Sequence, residues 1–226
     1  MARIVKEYDV RRNEILDSAQ RFFYSKGYEQ TSIQDITNDI RIAKGTFYHY
    51  FDSKLDLLDA LITRMSGEIL QTTEPIVADG RLAALEKFSR LFSHIQTWKS
   101  ERKTFLIDIL PVWYHDDNAL FRHKLTVEST RAVVPMLASI VRQGVAEGVF
   151  VNDCAEDLSE MVLFTSLSIS ETLGEMLLVG NHSACTLALI ERKLGVYGRA
   201  IERLLGAPEN SLELVDFDGI RAWFTD

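Results

Sequence analysis

Hydrophobic residues recur at spacings of three and four along almost the whole chain, and no stretch alternates apolar and polar residues over several positions. This spacing places apolar side chains on one face of an α-helix, whereas a half-buried strand needs a period of two. Prolines occur at four positions only, so long stretches lack the residue that most often interrupts a helix. The pattern therefore predicts an all-α protein.

The N-terminal part begins with two helical segments. Apolar residues mark one face of the first at Ile15, Ala19, Phe22 and Phe23, and Gly27 is placed to end it in a left-handed conformation. The second segment carries Ile33, Ile36 and Ile40. Thr31 and Ser32 precede it with hydroxyls that can cap its N-terminus, and Gln34 or Asp35 can return the bond.

A third segment runs from about Ala43 to Tyr50, and Phe47 and Tyr50 share its inner face. The opposite face carries a cation, a phenol, an imidazole and a bare glycine, at Lys44, Tyr48, His49 and Gly45. A fourth segment follows, capped by Ser53 with Asp56 in its first turn, and continues toward Thr73.

The clearest internal break lies at residues 74–80, where a proline and a glycine occur close together. We place a domain boundary shortly before it, which gives an N-terminal domain of residues 1–65 and a C-terminal domain of residues 66–226. In the second domain we expect that Pro111 and Pro135 kink or interrupt their helices. The helices expected there are 81–99, 102–114, 118–146, 155–178 and 183–206, with a short one near 219–224.

The net charge of −8 at first argues against a nucleic-acid partner. Its distribution changes that picture, because residues 1–54 hold nine Lys and Arg against eight Asp and Glu and carry +1, while the rest of the chain carries −9. Phosphates respond to the local field and not to the total charge. An acidic body with a slightly basic N-terminal part is therefore compatible with DNA binding.

The sequence gives no sign of export or of a membrane anchor. No apolar run approaches the roughly 18–20 residues that cross a bilayer, and the N-terminal residues lack the apolar core of a signal peptide. The two cysteines, Cys154 and Cys185, do not form a disulfide framework. We therefore expect a cytoplasmic protein without membrane contact.

Three helices in about fifty residues, with a four-residue turn between the second and third, outline a helix-turn-helix. Taken alone, the polar face of the third segment fits the exposed side of a core helix better than a DNA-binding surface. The runs TSIQDIT at 31–37 and AKGTFYHYFDSK at 43–54, with the preceding helix, closely resemble the signature of the TetR family of transcription regulators. The similarity covers residues 10–60, about a quarter of the chain.

This resemblance implies a homodimer whose recognition helices enter successive major grooves of a palindromic DNA operator. It also implies a helical C-terminal domain that binds a small-molecule inducer, with repression as the commoner outcome. By the same resemblance, Lys44 begins the recognition helix and Lys54 contacts a phosphate. The positions assigned to DNA in this way are Thr31, Ser32, Lys44, Gly45, Thr46, Tyr48, His49 and Lys54.

The turn between the second and third segments departs from the family pattern. This chain has Arg41 where a glycine is usual, and Ile40 where a small residue is usual. An arginine fits the turn only if it avoids the left-handed conformation or accepts roughly 1 kcal/mol of strain. We expect a slightly altered turn, in which Arg41 can add a phosphate contact.

Two C-terminal helices carry long apolar stripes. Such stripes fit an intramolecular core as well as an interface, and the resemblance favours a four-helix dimer interface. The residues expected there are Met161, Thr165, Ile169, Thr172, Leu187, Ile190, Leu194, Tyr197 and Ile201. Aromatic residues are frequent between 88 and 121, and although each alone fits an ordinary core, Trp113, Tyr114 and Phe164 are our candidates for the ligand pocket.

The chain lacks a P-loop, a dinucleotide glycine fingerprint and a nucleophile elbow, so we expect no enzyme and no cofactor. Its histidines and cysteines lack the close spacing of a metal site. Two rival functions stay open. A chromosome-organising or protein-interaction role without inducer predicts many dispersed genomic sites, and a helical enzyme predicts turnover that survives mutation of residues 44–49.

Overall fold

The computed structural model describes residues 2–116, 119–151, 154–180 and 184–224. Within these ranges the backbone forms helices and no strand, which confirms the all-α prediction. Residues 118, 152, 153 and 181–183, on which some predicted helix ends and loops fall, lie outside the described part. The helices are α1 Ala2–Lys26, α2 Ile33–Asp39, α3 Lys44–Tyr48, α4 Lys54–Ala78, α5 Ala84–Ser100, α6 Lys103–Trp113, α7 Ala119–Ala146, α8 Ala155–Val179, α9 Ala184–Leu205 and α10 Phe217–Arg221.

The chain divides into two units. The first comprises residues 1–67 and 104–121, and the second comprises residues 68–103 and 122–226. The first break lies close to the predicted boundary at residue 65, but the sequence placed α6 in the second domain. Phe105 and Ile109 bury α6 in the first unit, with the Phe105 ring centroid 4.7 Å from that of Tyr24 in α1.

Aromatic and aliphatic side chains from α1 to α4 form the core of the first unit. Ile15 and Phe23 of α1, Ile36 of α2 and Phe47 of α3 are almost completely buried. Leu57 and Leu61 bring the first turns of α4 into the same core. Burial of these side chains is worth about 1.5–3 kcal/mol each, so the short helices α2 and α3 depend on packing and not on their own propensity.

The core of the second unit combines α5, α7, α8 and α9. Phe88, Ile140, Val162 and Leu205 are completely buried in it, and the Phe88 ring stacks beside Phe92 at a centroid distance of 6.1 Å. A smaller apolar cluster joins α8, α9 and the C-terminal segment through Ile190, Leu194 and Phe224.

Prolines do not end the helices in which they occur. Pro75 lies within α4, Pro111 within α6 and Pro135 within α7, so neither predicted interruption is found. The predicted break at residues 74–80 is also displaced, because α4 continues through Pro75 to Ala78. Pro75 cannot donate to the Gln71 carbonyl one turn before it, and α4 continues for only three residues beyond it.

Helix α8 corrects the expectation that no segment is apolar enough for a membrane. By length and composition Ala155–Val179 can cross a bilayer, and 17% of its apolar window is buried. Helices that pack in protein interiors or interfaces pass the same test, so composition alone does not assign α8 to a membrane. The finding does show that much of an apolar helix faces outward in this protomer.

Candidate nucleic-acid interface

A reciprocal hydrogen-bond pair fixes the start of α2. The Ser32 hydroxyl accepts from the Asp35 backbone N–H at 3.1 Å, and the Asp35 carboxylate accepts from the Ser32 N–H at 2.8 Å. This confirms the predicted capping box with Asp35 as the partner. The Lys26 amine lies 2.8 Å from Asp35, and its hydrogen bond, followed by that of Ser32, holds the Asp35 pKa well below its usual range.

A second carboxylate fastens the other end of α2 to α1. Asp39 accepts from the Ser18 hydroxyl at 2.7 Å and from the Arg21 guanidinium at 2.5 Å. These two bonds, that of Ser18 first, lower the Asp39 pKa. Helix α2 is thus attached to α1 by polar contacts at both ends, while Ile36 and Thr37 are buried between them.

Arg41 takes the strained conformation in the turn between α2 and α3. Its φ is 54°, in the left-handed region that favours glycine. The Arg41 N–H donates to the Asn38 carbonyl at 3.2 Å and the Ile42 N–H to the Thr37 carbonyl at 2.9 Å. These bonds form a Schellman cap, so the turn accepts the strain and keeps the geometry that a glycine would adopt.

Helix α3 presents the outward face that the sequence predicted. Phe47 is completely buried, whereas Tyr48 is 45% exposed and Lys44, Gly45 and His49 are exposed. A Cβ added at Gly45 would meet no atom within 4 Å, so the backbone is open to close approach by another molecule. The face combines donors of the kind that bind phosphates and base edges with a site where a backbone can come near.

Two cations near this face, Arg41 and Lys44, are exposed and form no ion pair with a described carboxylate. In the first unit Arg11, Arg21, Lys26 and Arg64 each pair with a carboxylate. Among the described side chains Arg41 and Lys44 have no carboxylate within ion-pair distance, and both are exposed. The positive potential at α3 therefore comes from a few charges that no carboxylate neutralises. The net charge of residues 1–54 does not show which cations are paired and which are not.

The structure contradicts the predicted DNA contact of Thr31. The residue is 1% exposed, and its hydroxyl donates to the Gly27 carbonyl at 2.7 Å. Thr31 therefore shapes the α1–α2 loop from inside. Ser32 is exposed, but its hydroxyl donates to Asp35 at 2.6 Å and would reach a phosphate only by leaving that bond.

Lys54 has a positioning role in the structure that the sequence did not predict, and its phosphate contact stays a prediction. Its amine donates to the backbone carbonyls of Tyr28, Glu29 and Thr31 at 3.0, 3.4 and 3.1 Å. All three N–H donors of an ammonium are then in use. The amine also lies 4.2 Å from the ring centroid of Tyr28, whose pKa burial raises to about 12. Lys54 holds the α1–α2 loop against the start of α4, where the Ser53 hydroxyl caps the Asp56 N–H as predicted.

Two residues of α1 that the sequence interpretation missed lie beside α3. The Tyr8 ring centroid is 4.6 Å from that of Tyr50 and 6.0 Å from that of His49. The Arg12 guanidinium lies 5.2 Å from the Phe51 ring centroid. These contacts orient the end of α3. Their sequence signal, an aromatic and a cation one turn apart in an otherwise polar segment, is too weak to identify them in advance.

The three candidate pocket aromatics belong to two different units. Trp113, in the first unit, lines a space of about 10 Å³ between α4 and α6, room for a single water molecule. Tyr114 belongs to the same unit and is partly buried. Phe164 is 45% exposed on α8 of the second unit, next to Met161 at 49%, so it lies on an outer face of that unit.

The predicted dimer residues divide into two groups. Ile190, Leu194 and Ile201 are 1–2% exposed and belong to the core of their own protomer, so no surface remains on them for a partner. An apolar stripe on a helix cannot distinguish these two kinds of burial. Surface remains on Met161, Thr165, Ile169, Thr172, Leu187 and Tyr197.

Residues 15–61 match the family model described as bacterial regulatory proteins, tetR family. The chain is 34% identical over 70 residues to the HTH-type transcriptional repressor KstR2 of Rhodococcus jostii, covering 31% of this chain and 34% of that protein. It is 25% identical over 163 residues to KstR2 of Mycobacterium tuberculosis, covering 70% and 78%. It is 23% identical over 164 residues to the fatty acid metabolism regulator protein of Bacillus subtilis, covering 72% and 82%.

Solved structures share the fold. A transcriptional regulator from Cytophaga hutchinsonii aligns with a TM-score of 0.65 at 16% identity, over 84% of this chain and 95% of that one. A regulator of the TetR/AcrR family from Thermobifida fusca aligns with a TM-score of 0.55 at 23% identity, over 69% and 81%. At these identities the likeness concerns the fold, and the sequence match concentrates in the segment that contains α2 and α3.

Proposed function

Because the chain belongs to the TetR family and is a DNA-binding transcription regulator, we propose that it is a ligand-responsive repressor that binds a palindromic operator as a homodimer. Its relatives are regulators and not enzymes. A protein that regulates transcription has to reach the chromosome, so the proposal includes a cytoplasmic location. The partners are double-stranded DNA, a second copy of the chain and a small molecule.

The observation that carries the DNA-binding part is the exposed face of α3. Gly45 leaves room for a backbone or base edge, and Lys44, Tyr48 and His49 surround it with exposed polar groups. Arg41 adds an uncompensated charge at the preceding turn. Lys44 and Arg41 contact phosphates in this proposal, whereas Tyr48 and His49 approach bases.

The outer faces of α8 and α9 support a homodimer. On α8 the apolar residues Met161 and Phe164 are exposed, together with the acidic residues Glu160, Glu171 and Glu175. On α9 Val196 is 52% exposed, and it lies among the exposed cations Arg192, Arg199 and Arg203. A two-fold axis that sets α8 of one protomer on α9 of the other pairs acidic with basic residues and covers the apolar surface.

The proposed regulation is an equilibrium between two states of the dimer. Without ligand the two α3 helices are about one DNA turn, ~34 Å, apart and occupy successive major grooves. Ligand binding in the second unit favours another spacing, and the difference in ligand affinity between the two states lowers DNA affinity.

In vitro selection from random duplexes tests the proposal, combined with light scattering of the selected complex. We expect a palindromic site with half-site centres about 10 base pairs apart and a protein mass of two chains at micromolar concentration. A monomeric mass at that concentration contradicts the dimer. Selection of no sequence, or of a single half-site, contradicts the operator part.

A further inference from the structure

The guanidinium of Arg12 on α1 keeps its hydrogen-bond donors unused. It lies over the ring of Phe51, 5.2 Å from the ring centroid, and Phe51 is 2% exposed. No hydrogen bond or ion pair links the half-buried Arg12 to another side chain that the structure describes, whereas its neighbour Arg11 pairs with Glu14 at 2.6 Å. A guanidinium carries five N–H donors, and a cation–π contact needs none of them. Arg12 is therefore a positioned cation whose donors are available to an acceptor from outside.

Two exposed acidic residues close to Arg12 in the chain or across the α1–α3 contact do not neutralise its charge. Asp9 lies one turn before Arg12 on α1 and Asp52 lies in the loop before α4, but neither forms an ion pair with it. An arginine that fastens helices of this unit together is bonded differently. The guanidinium of Arg64 on α4 donates to the carboxylate of Asp17 on α1 at 2.7 Å. The charge of Arg12 is thus not used to hold the unit together.

The ring beneath Arg12 is fixed to the core under α3. The ring centroid of Phe51 lies 5.8 Å from that of Phe47, the residue that anchors α3 in the core. Phe47 is completely buried and Phe51 almost so, and close-packed side chains of this kind keep one position. The guanidinium of Arg12 therefore has a constant place relative to the outward face of α3.

Tyr8, one turn before Arg12 on the same side of α1, reaches the end of α3. Its ring centroid lies 4.6 Å from that of Tyr50 and 6.0 Å from that of His49. These contacts leave Tyr8 39% exposed, and His49 is exposed as well, so the rings lie at the surface and do not fill a core. The exposed surface of α3 continues onto α1 through His49 and Tyr8, and Arg12 lies one turn further along.

We propose that Arg12 binds a backbone phosphate of the operator, at the edge of the groove that α3 enters. The contact rests on the proposed DNA binding by α3 and adds α1 to the interface. A phosphate offers two oxygens to a guanidinium, which binds them through parallel, charge-assisted hydrogen bonds. Backbone phosphates are alike in every sequence, so the contact adds affinity and fixes the orientation of α3 in its groove without selecting bases.

Single methylphosphonate linkages test the contact, because each replaces one charged phosphate by a neutral group. They are placed one at a time in the DNA duplex obtained by in vitro selection, and fluorescence anisotropy gives the affinity of the full-length protein for each duplex. With the natural protein we expect one linkage in each half-site to lower affinity by at least about fivefold, because it removes the oxygens that Arg12 binds. With Arg12→Met, which keeps an apolar side chain over Phe51, this linkage should cost nothing further, while the penalties at all other linkages remain.

Three further variants serve as controls. Arg11→Met should keep the penalty at this linkage, because the Arg11 guanidinium is paired with Glu14. Lys44→Ala should keep it as well and should lose the penalty at a different linkage, since Lys44 lies on α3. Arg12→Lys preserves the charge without the planar set of donors and should retain part of the penalty.

Penalties that all survive Arg12→Met, in a variant with a native circular dichroism spectrum, overturn the phosphate contact. Such a variant would bind every duplex more weakly by the same factor if Arg12 acted only by orienting α3. This result leaves DNA binding by α3 intact. A natural protein that binds no duplex, or for which no linkage lowers affinity, contradicts the proposed DNA binding itself and the Arg12 contact with it.

Discussion

The carboxylate of Asp108 in α6 accepts a hydrogen bond from the backbone N–H of Tyr28 at 2.5 Å, across eighty residues of sequence. Its other oxygen lies directly beneath Gly27, where an added Cβ would be 2.8 Å away. Gly27 has a φ of 87° and ends α1 as predicted. A side chain of α6 thus fastens the loop that leads into α2, and the amine of Lys54 fastens the same loop from α4.

Removal of the Asp108 acceptor should loosen this loop. We expect Asp108→Ala to destabilise the protein by about 1–2 kcal/mol, because a partly buried N–H loses its partner, and Asp108→Asn to cost less, because its amide oxygen can still accept. Denaturant unfolding measures both changes. In a double-mutant cycle, Gly27→Ala combined with Asp108→Ala should lower the free energy of unfolding by less than the sum of the two single changes. The reason is that Asp108→Ala removes the clash between the new Cβ and the carboxylate, while the strain of the positive φ at residue 27 remains. Strict additivity would contradict the contact.

Lys54→Met distinguishes a positioning lysine from a phosphate-binding one. The change removes three hydrogen bonds to loop carbonyls and should lower stability by about 1–3 kcal/mol, with weaker DNA binding as a consequence. Because no phosphate contact is lost, the dependence of log affinity on log salt should keep its slope. Lys44→Ala should instead reduce that slope by about one, since it removes one phosphate contact. A reduced slope for Lys54→Met would restore the phosphate role.

Gly45→Ala should stabilise the protein and weaken DNA binding. The added methyl group meets no atom of the protein, and alanine favours a helix over glycine by up to about 1 kcal/mol. On DNA the same methyl group occupies the space where the backbone approaches, and we expect at least a tenfold loss of affinity. Gly67→Ala on α4, where a Cβ also meets nothing within 4 Å, is the matched control and should leave affinity unchanged.

Arg41→Gly should separate strain from charge. Glycine relieves the left-handed strain of about 1 kcal/mol but adds freedom to the unfolded chain, so thermal unfolding should show a gain between 0 and about 1 kcal/mol. The slope of log DNA affinity against log salt concentration should become smaller by about one, because one phosphate contact is lost. Arg41→Lys, which keeps the charge and the strain, should bind DNA as the natural protein does. Loss of stability in Arg41→Gly would show that the turn needs the side chain.

The sequence predicted local features well, because they depend on residues close in the chain. Period and turn chemistry are enough to place Phe47 inside, Tyr48 outside and the Ser32–Asp35 cap at the start of α2. The positioning role of Lys54 was missed because its acceptors lie in a loop more than twenty residues earlier, which only the tertiary fold brings within reach. Asp108 escaped notice for the same reason.

Apolar stripes were the least informative feature for tertiary structure. Phe105 and Ile109 gave α6 an ordinary amphipathic pattern, and nothing in that pattern tells which unit it joins. Ile190, Leu194 and Ile201 fit a dimer stripe by spacing, yet their own protomer buries them. An apolar stripe shows that one face of a helix is covered. It does not show whether the same protomer or a second one covers it.

The central claim is that the outward face of α3 binds DNA. The most direct test measures, by fluorescence anisotropy, the affinity of Lys44→Ala and Tyr48→Ala for the DNA duplex obtained by in vitro selection. We expect each variant to bind at least tenfold more weakly, a loss of about 1–3 kcal/mol, while light scattering shows an unchanged dimer mass. Lys124→Ala on α7 should bind as the natural protein does. Unchanged affinity in both α3 variants would contradict the account.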